Sequence, residues 1–189
     1  FQGNDATPNF LFRNDGGRFV EVGLFAGVAF NEGGTPEGTM GVDAADIDGD
    51  GRLDLAMTNF QWESNTLYRN QGDGLFKDAA MAAGLAATSL DRLAFGINFL
   101  DADLDGDPDL YVVNGHIDED IDRFDPQASY AQRAQFYLND GLGRFTEIAA
   151  GFELKGARTG YCGGGTGAGG LGRGGGGGGG RHAEGNTQK

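Results

Sequence analysis

Cysteine, histidine and lysine are scarce in this chain, and each scarcity removes a class of function. The one cysteine, Cys162, has no partner for an intrachain disulfide and, set among glycines, no base to activate it. The two histidines, His116 and His182, sit in no nucleophile or zinc spacing, and neither GxSxG nor HExxH occurs, so no enzyme activity is expected. Lysine and arginine together number 14 against 28 acids, a net charge of −14. Such a surface repels phosphate backbones and anionic lipid, which excludes nucleic acid as a partner. No apolar run approaches the roughly 20 residues that cross a bilayer, so membrane insertion is not expected either. The first residues, FQGND, lack the charged and apolar regions of a leader peptide.

What the chain does have is carboxylate and glycine, unevenly spread. Residues 1–154 hold 27 acids against nine bases, whereas residues 155–189 hold one acid, Glu184, against five bases. Within the acidic part the sequence repeats itself. GVDAADIDGDGRLDLAMTN (41–59) and GINFLDADLDGDPDLYVVN (96–114) align without a gap, and Asn4 falls at the same step before Asn59 and Asn114. A second element recurs between them, as NFLFRNDGGRF (9–19), NTLYRNQGDGLF (65–76) and QFYLNDGLGRF (135–145).

Each element reads as two short strands around a turn, giving four strands per repeat with no long helical period between repeats. KDAAMAAGL and DPQASYAQRAQ are each expected to supply a turn or two of helix. Tandem four-stranded units suggest propeller blades. The fold expected is therefore all-β, a partial β-propeller in which 8–22 is half a blade, 40–80 a blade, and 95–149 a blade with an insertion near 115–132. Three partial blades cannot close a ring, so the chain is expected to be a fragment that starts inside a repeat.

The acidic loops explain the charge. Calcium takes six to eight oxygens, and alternate residues of a tight loop point inward to supply them. Asp46, Asp48, Asp50 and Asp54 stand at loop positions 1, 3, 5 and 9, with the Arg52 carbonyl at position 7; Asp101, Asp103, Asp105 and Asp109 repeat the pattern. Gly51 and Gly106 occupy position 6, where the loop turns sharply. An EF-hand is excluded because position 12 is Met57 or Val112 rather than Glu, within a strand. The calcium nonapeptide GGxGxDxUx is excluded because the glycine-rich tail lacks its Asp. A solvated Asp-Gly turn explains one such loop, but not two in register.

DIDGDGRLDL and DADLDGDPDLYV, each followed by an xLYRNxGDGxF-like element, resemble the FG-GAP/VCBS repeats of integrin α-subunit propellers. With NDATPNFLFRNDG upstream and VVNGH downstream, residues 3 to about 150 are similar to bacterial proteins of the ASPIC/UnbV, cartilage acidic protein-like, family. That resemblance implies a calcium-loaded, secreted or cell-surface propeller used for adhesion or binding rather than chemistry. It carries the ligand role onto the eight loop aspartates but leaves the partner, protein or polysaccharide, undetermined. An alternative is the propeller scaffold of a carbohydrate-active enzyme acting on acidic glycans, with the cluster Asp118, Glu119, Asp120 and Asp122 as its acids. That cluster reads first as a solvated loop, because Arg123 and Pro126 stand where a cation loop needs Gly and Asp. Trp62, Phe60 and Tyr111 lie near strand ends, where aromatics serve either a binding surface or the core between blades.

The repeat pattern calls for a third acidic loop near residue 170, and GYCGGGTGAGGLGRGGGGGGGRH stands there instead. Fifteen of the 37 glycines lie between Gly160 and Gly180. Residues 155–189 are expected to be either a disordered linker or a frame-shifted blade, since a one-base shift in a codon set for Gly170–Gly174 spells Asp-Leu-Asp-Gly. Resequencing the gene distinguishes the two.

Overall fold

β-branched and aromatic residues between Gly- and Asp-rich turns build an almost helix-free chain. The computed structural model describes residues 1–148; the expectations for 155–189 fall outside the described residues. A hairpin comes first, β1 (Phe12–Asp15) paired with β2 (Arg18–Glu21), followed by a one-turn helix, α1 (Gly23–Ala26). Next is a four-stranded antiparallel sheet of β3 (Val42–Ala45), β4 (Asp54–Met57), β5 (Thr66–Gly72) and β6 (Leu75–Asp78), in sequence order. After the short α2 (Ala86–Ser89), a second four-stranded meander comprises β7 (Ala94–Leu100), β8 (Asp109–Asn114), β9 (Gln135–Asn139) and β10 (Phe145–Glu147). The described residues are thus all-β in antiparallel four-stranded sheets plus one hairpin, and they do not form a closed ring.

The repeat seen in the sequence is also a repeat of register. Leu55 lies between Ala44 and Tyr68 across its sheet, and Leu110 lies between Phe99 and Tyr137 across the other. The isolated bridge Gln2–Phe10 places the first hairpin in the same phase, since it matches the Met57–Thr66 pair. Asn4, Asn59 and Asn114 do one job three times. Each donates its side-chain amide to the carbonyl just before the following strand, Pro8, Ser64 and Arg133, at 2.7, 2.7 and 2.9 Å.

Packing buries β4 on both faces. Every residue of β4 is buried. Leu55, Met57 and Tyr68 face Ala26, Val28 and the partly buried Leu11 on the hairpin side, while Ala56 and Leu67 face Ile97, Leu110, Val112 and Tyr137 of the second sheet. The sheets approach most closely at β3 and β7, where a side chain at Gly41 would collide with the Phe95 carbonyl oxygen. The Thr58 hydroxyl donates to that same oxygen at 2.9 Å, so glycine here serves close backbone approach rather than a turn.

The helices differ from expectation. KDAAMAAGL runs from the end of β6 into turns over Ala80–Gly84, with α2 starting just after it, and DPQASYAQRAQ is non-helical, a 3₁₀ turn at Ile121–Arg123 preceding it. Both segments have alanine propensity but end against buried loop contacts, and tertiary context overrides so short a preference.

Candidate metal centres

Both acidic loops join the first two strands of a four-stranded sheet, β3 to β4 and β7 to β8, and therefore sit at the same end of the molecule. Their backbones share a shape that the sequence only half reveals. Gly49 and Gly51 have φ of +72° and +82°, and Leu104 and Gly106, their equivalents, have +66° and +97°. A leucine in the left-handed region is strained, yet the second loop adopts the turn with Leu104 in Gly49's place.

Backbone amides fix the carboxylates. The two oxygens of Asp46 accept from the amides of Asp50 and Gly51 at 3.0 and 2.8 Å, and Asp101 accepts from Gly106 at 3.2 Å. The result is two groups of three: Asp46, Asp48 and Asp50 in one loop, Asp101, Asp103 and Asp109 in the other, each with one oxygen per residue inside a 4.8 Å span. Among the described residues these are the groups able to hold a metal ion. Two carboxylates at that distance repel by about 1 kcal/mol even in water, so a cation removes a penalty present in both loops.

Asp54, Asp105 and Arg52, the other predicted ligands, fall outside these groups of three. Asp54 and Asp109, both 1 % exposed, are structural anchors whether or not they touch an ion. Asp54 accepts from the amides of Asn70 at 2.7 Å and Ile47 at 3.3 Å, and Asp109 from Asn139 at 2.9 Å and Ala102 at 3.0 Å. Asp54 lies outside its loop's group of three, whereas Asp109, with the equivalent hydrogen bonds, belongs to its own. Asp105 is also outside, its carboxylate accepting from the Asp107 amide at 2.9 Å. Arg52 was expected to act through its carbonyl. Its guanidinium pairs with Asp50 and reaches the Asn70 carbonyl at 3.0 Å.

Sequence reading missed the partners that hold these loops. Asn70 and Asn139, in the recurring xYRN and YLN elements, return side-chain amides to the Leu53 and Pro108 carbonyls, each at 3.1 Å. Asn139 also donates to the Ile47 carbonyl at 2.9 Å, which ties the first loop to the second sheet. Arg69 was missed too. Its guanidinium lies 2.9 Å from Asp48 and 2.5 Å from the Leu142 carbonyl. The recurrence of Asn in the element that follows each acidic loop, LYRN and FYLN, was the available signal for the asparagines; nothing in the sequence pointed Arg69 toward Asp48.

The electrostatics fit a cation in each loop. Asp48 Oδ1 is shut from solvent and has no hydrogen-bond partner although its other oxygen meets Arg69. An orphaned carboxylate oxygen beside two further carboxylates is one that a cation would satisfy. In the second loop, desolvation first and then the charges of Asp105 and Asp109 push Asp103 above the usual carboxylate range. Burial likewise raises Asp54, against the hydrogen bonds from Asn70 and Ile47.

A family model for the FG-GAP-like repeat matches residues 2–57 and 46–112, and each matched span closes three residues beyond the last aspartate of an acidic loop. No curated protein matches the chain.

Proposed function

Because the chain belongs to the FG-GAP-like repeat family, we propose that it is a calcium-stabilised interaction module, part of a β-propeller of the ASPIC/UnbV kind, exported and working at or outside the cell surface. One observation carries the reading: two three-carboxylate groups, in loops of one shape, join the first two strands of consecutive sheets. Asp46, Asp48 and Asp50 would hold one ion, and Asp101, Asp103 and Asp109 the other. A bound calcium supplies charge neutralisation and nothing redox. Oxygen-only donor sets suit it, and extracellular modules of this sort bind it at about 10⁻⁴ to 10⁻³ M, affinities that match extracellular calcium.

The protein's own residues supply the rest of the device. Asn70 and Asn139 lock Asp54 and Asp109, so the loops are presented on a rigid base, and Ile47 connects one loop to the neighbouring sheet. The module binds and does not catalyse, its partner being a protein or a polysaccharide. Thermal unfolding with calcium and with chelator tests this. Calcium should raise the midpoint by several degrees, and the Asp46→Ala, Asp101→Ala double variant should lose that rise; an unchanged rise in the double variant contradicts the reading.

A further inference from the structure

The strand meander sends the β4–β5 and β8–β9 connections to the end opposite the acidic loops, and there three segments converge. Trp62, in the first connection, donates its amide to the Leu90 carbonyl at 2.9 Å. Gln61 donates its side-chain amide to Asp125 at 3.2 Å, and the rings of Phe60 and His116 meet edge-on at 6.2 Å. Asn65 donates its amide to the Ser89 hydroxyl at 2.9 Å. Residues 60–65, 89–93 and 115–125 are therefore one surface.

Trp62 is its most unusual member. Its φ of +69° is a conformation that bulky side chains avoid, and its side chain is half exposed at 50 %. A strained, outward tryptophan fixed by its own backbone hydrogen bond points to use rather than packing. Leu90, Ile117 and Phe124, in the segments that meet there, are exposed at 44, 55 and 77 %.

Charge identifies the partner. Glu63, Asp91, Asp118, Glu119, Asp120, Asp122 and Asp125 surround these apolar groups, against Arg92 and Arg123, which already pair with Asp91 and Asp120 at 3.3 Å. Unlike the loop aspartates, these acids converge on no ion-sized point: among the described residues, both groups able to hold a metal lie at the other end. Their field is spread over a surface. Spread negative charge around exposed apolar side chains complements a chain of spaced cations with apolar residues between them.

We propose that this end of the module docks a basic segment of a partner protein, with Trp62 as the platform for an arginine or lysine side chain and Asp118, Asp120 and Asp122 as the carboxylate rim. The proposal rests on the reading of the protein as an interaction module and names the partner class.

The chain has one tryptophan, so its emission reports on the site directly. In calcium-containing buffer, the whole protein is titrated with a dodecapeptide of alternating arginine and leucine, with its glutamate counterpart, and with cellohexaose. The arginine peptide should change Trp62 emission and weaken about tenfold as salt rises from low to physiological strength. The Asp118→Asn, Asp120→Asn, Asp122→Asn variant should bind it about tenfold less well. Trp62→Gly accommodates the positive φ and should keep the parent's melting temperature while losing peptide binding in calorimetry. Three outcomes overturn the proposal: no emission change or heat with the arginine peptide, an equal response to the glutamate peptide or cellohexaose, or undiminished binding by the triple variant. Calcium uptake measured on the same samples keeps the two readings apart. Uptake without peptide binding removes the docking site alone; peptide binding without uptake removes the calcium reading alone.

Discussion

The loops 46–54 and 101–109 carry the same four acids at the same offsets and differ in what stands beside them. The first has Arg52 on Asp50 and Arg69 on Asp48. The second has Asp107 where the first has Arg52, and Leu138 where it has Arg69, giving five carboxylates and neither cation. The spacing of aspartates and the anchoring asparagine specify the cage, whereas the neighbours decide how much the empty cage costs. On these grounds the first loop is partly self-neutralised and the second is not, so the second is predicted to bind calcium more tightly.

The largest expected effect tests what the loops share. Asp54→Ala or Asp109→Ala leaves two backbone amides without acceptors inside a sheet, and each should cost about 3 kcal/mol in urea unfolding. Markedly unequal losses would break the equivalence of the sheets. The next tests the difference. At about 10 mM calcium a site near 10⁻⁴ M adds about 2.7 kcal/mol and one near 10⁻³ M about 1.4 kcal/mol. Asp101→Ala should therefore remove about twice as much calcium-dependent stability as Asp46→Ala. Arg69→Met should narrow that gap: it frees Asp48 and tightens the first site several-fold, while costing the chelated protein up to about 1 kcal/mol, as expected for a partly exposed ion pair. Smallest is the backbone swap. Leu104→Gly should stabilise by about 1 kcal/mol through relief of its left-handed conformation, and Gly49→Leu, where a side chain meets open space, should cost a similar amount. Both are read as shifts in melting temperature.

Much of this was legible in the sequence because duplication encodes register. The acidic loops and the strands flanking them recur at a fixed offset and the turn elements follow in the same order, and a 55-residue step that aligns Asp46 with Asp101 also aligns Leu55 with Leu110 and Asn59 with Asn114. What repeats could not convey is contact between repeats. Arg69 reaching Asp48, Asn139 reaching the Ile47 carbonyl, and Gly41 against Phe95 depend on how sheets stack, and no spacing within one repeat encodes it. Nor could position in a loop predict which three of its four acids converge. Asp54 and Asp105 occupy ligand positions in the pattern, yet lie outside the groups of three. The strain at Trp62 is likewise a product of three loops meeting, invisible in NFQWESN taken alone.

The central claim is that the two aspartate loops each cage a calcium ion, the second more tightly. Equilibrium dialysis of the chain against radioactive calcium measures this most directly. The account predicts two ions per chain with distinct affinities, the tighter one lost in Asp101→Ala and the weaker in Asp46→Ala. Uptake of no calcium at millimolar concentration, or of two ions retained in both variants, would contradict it.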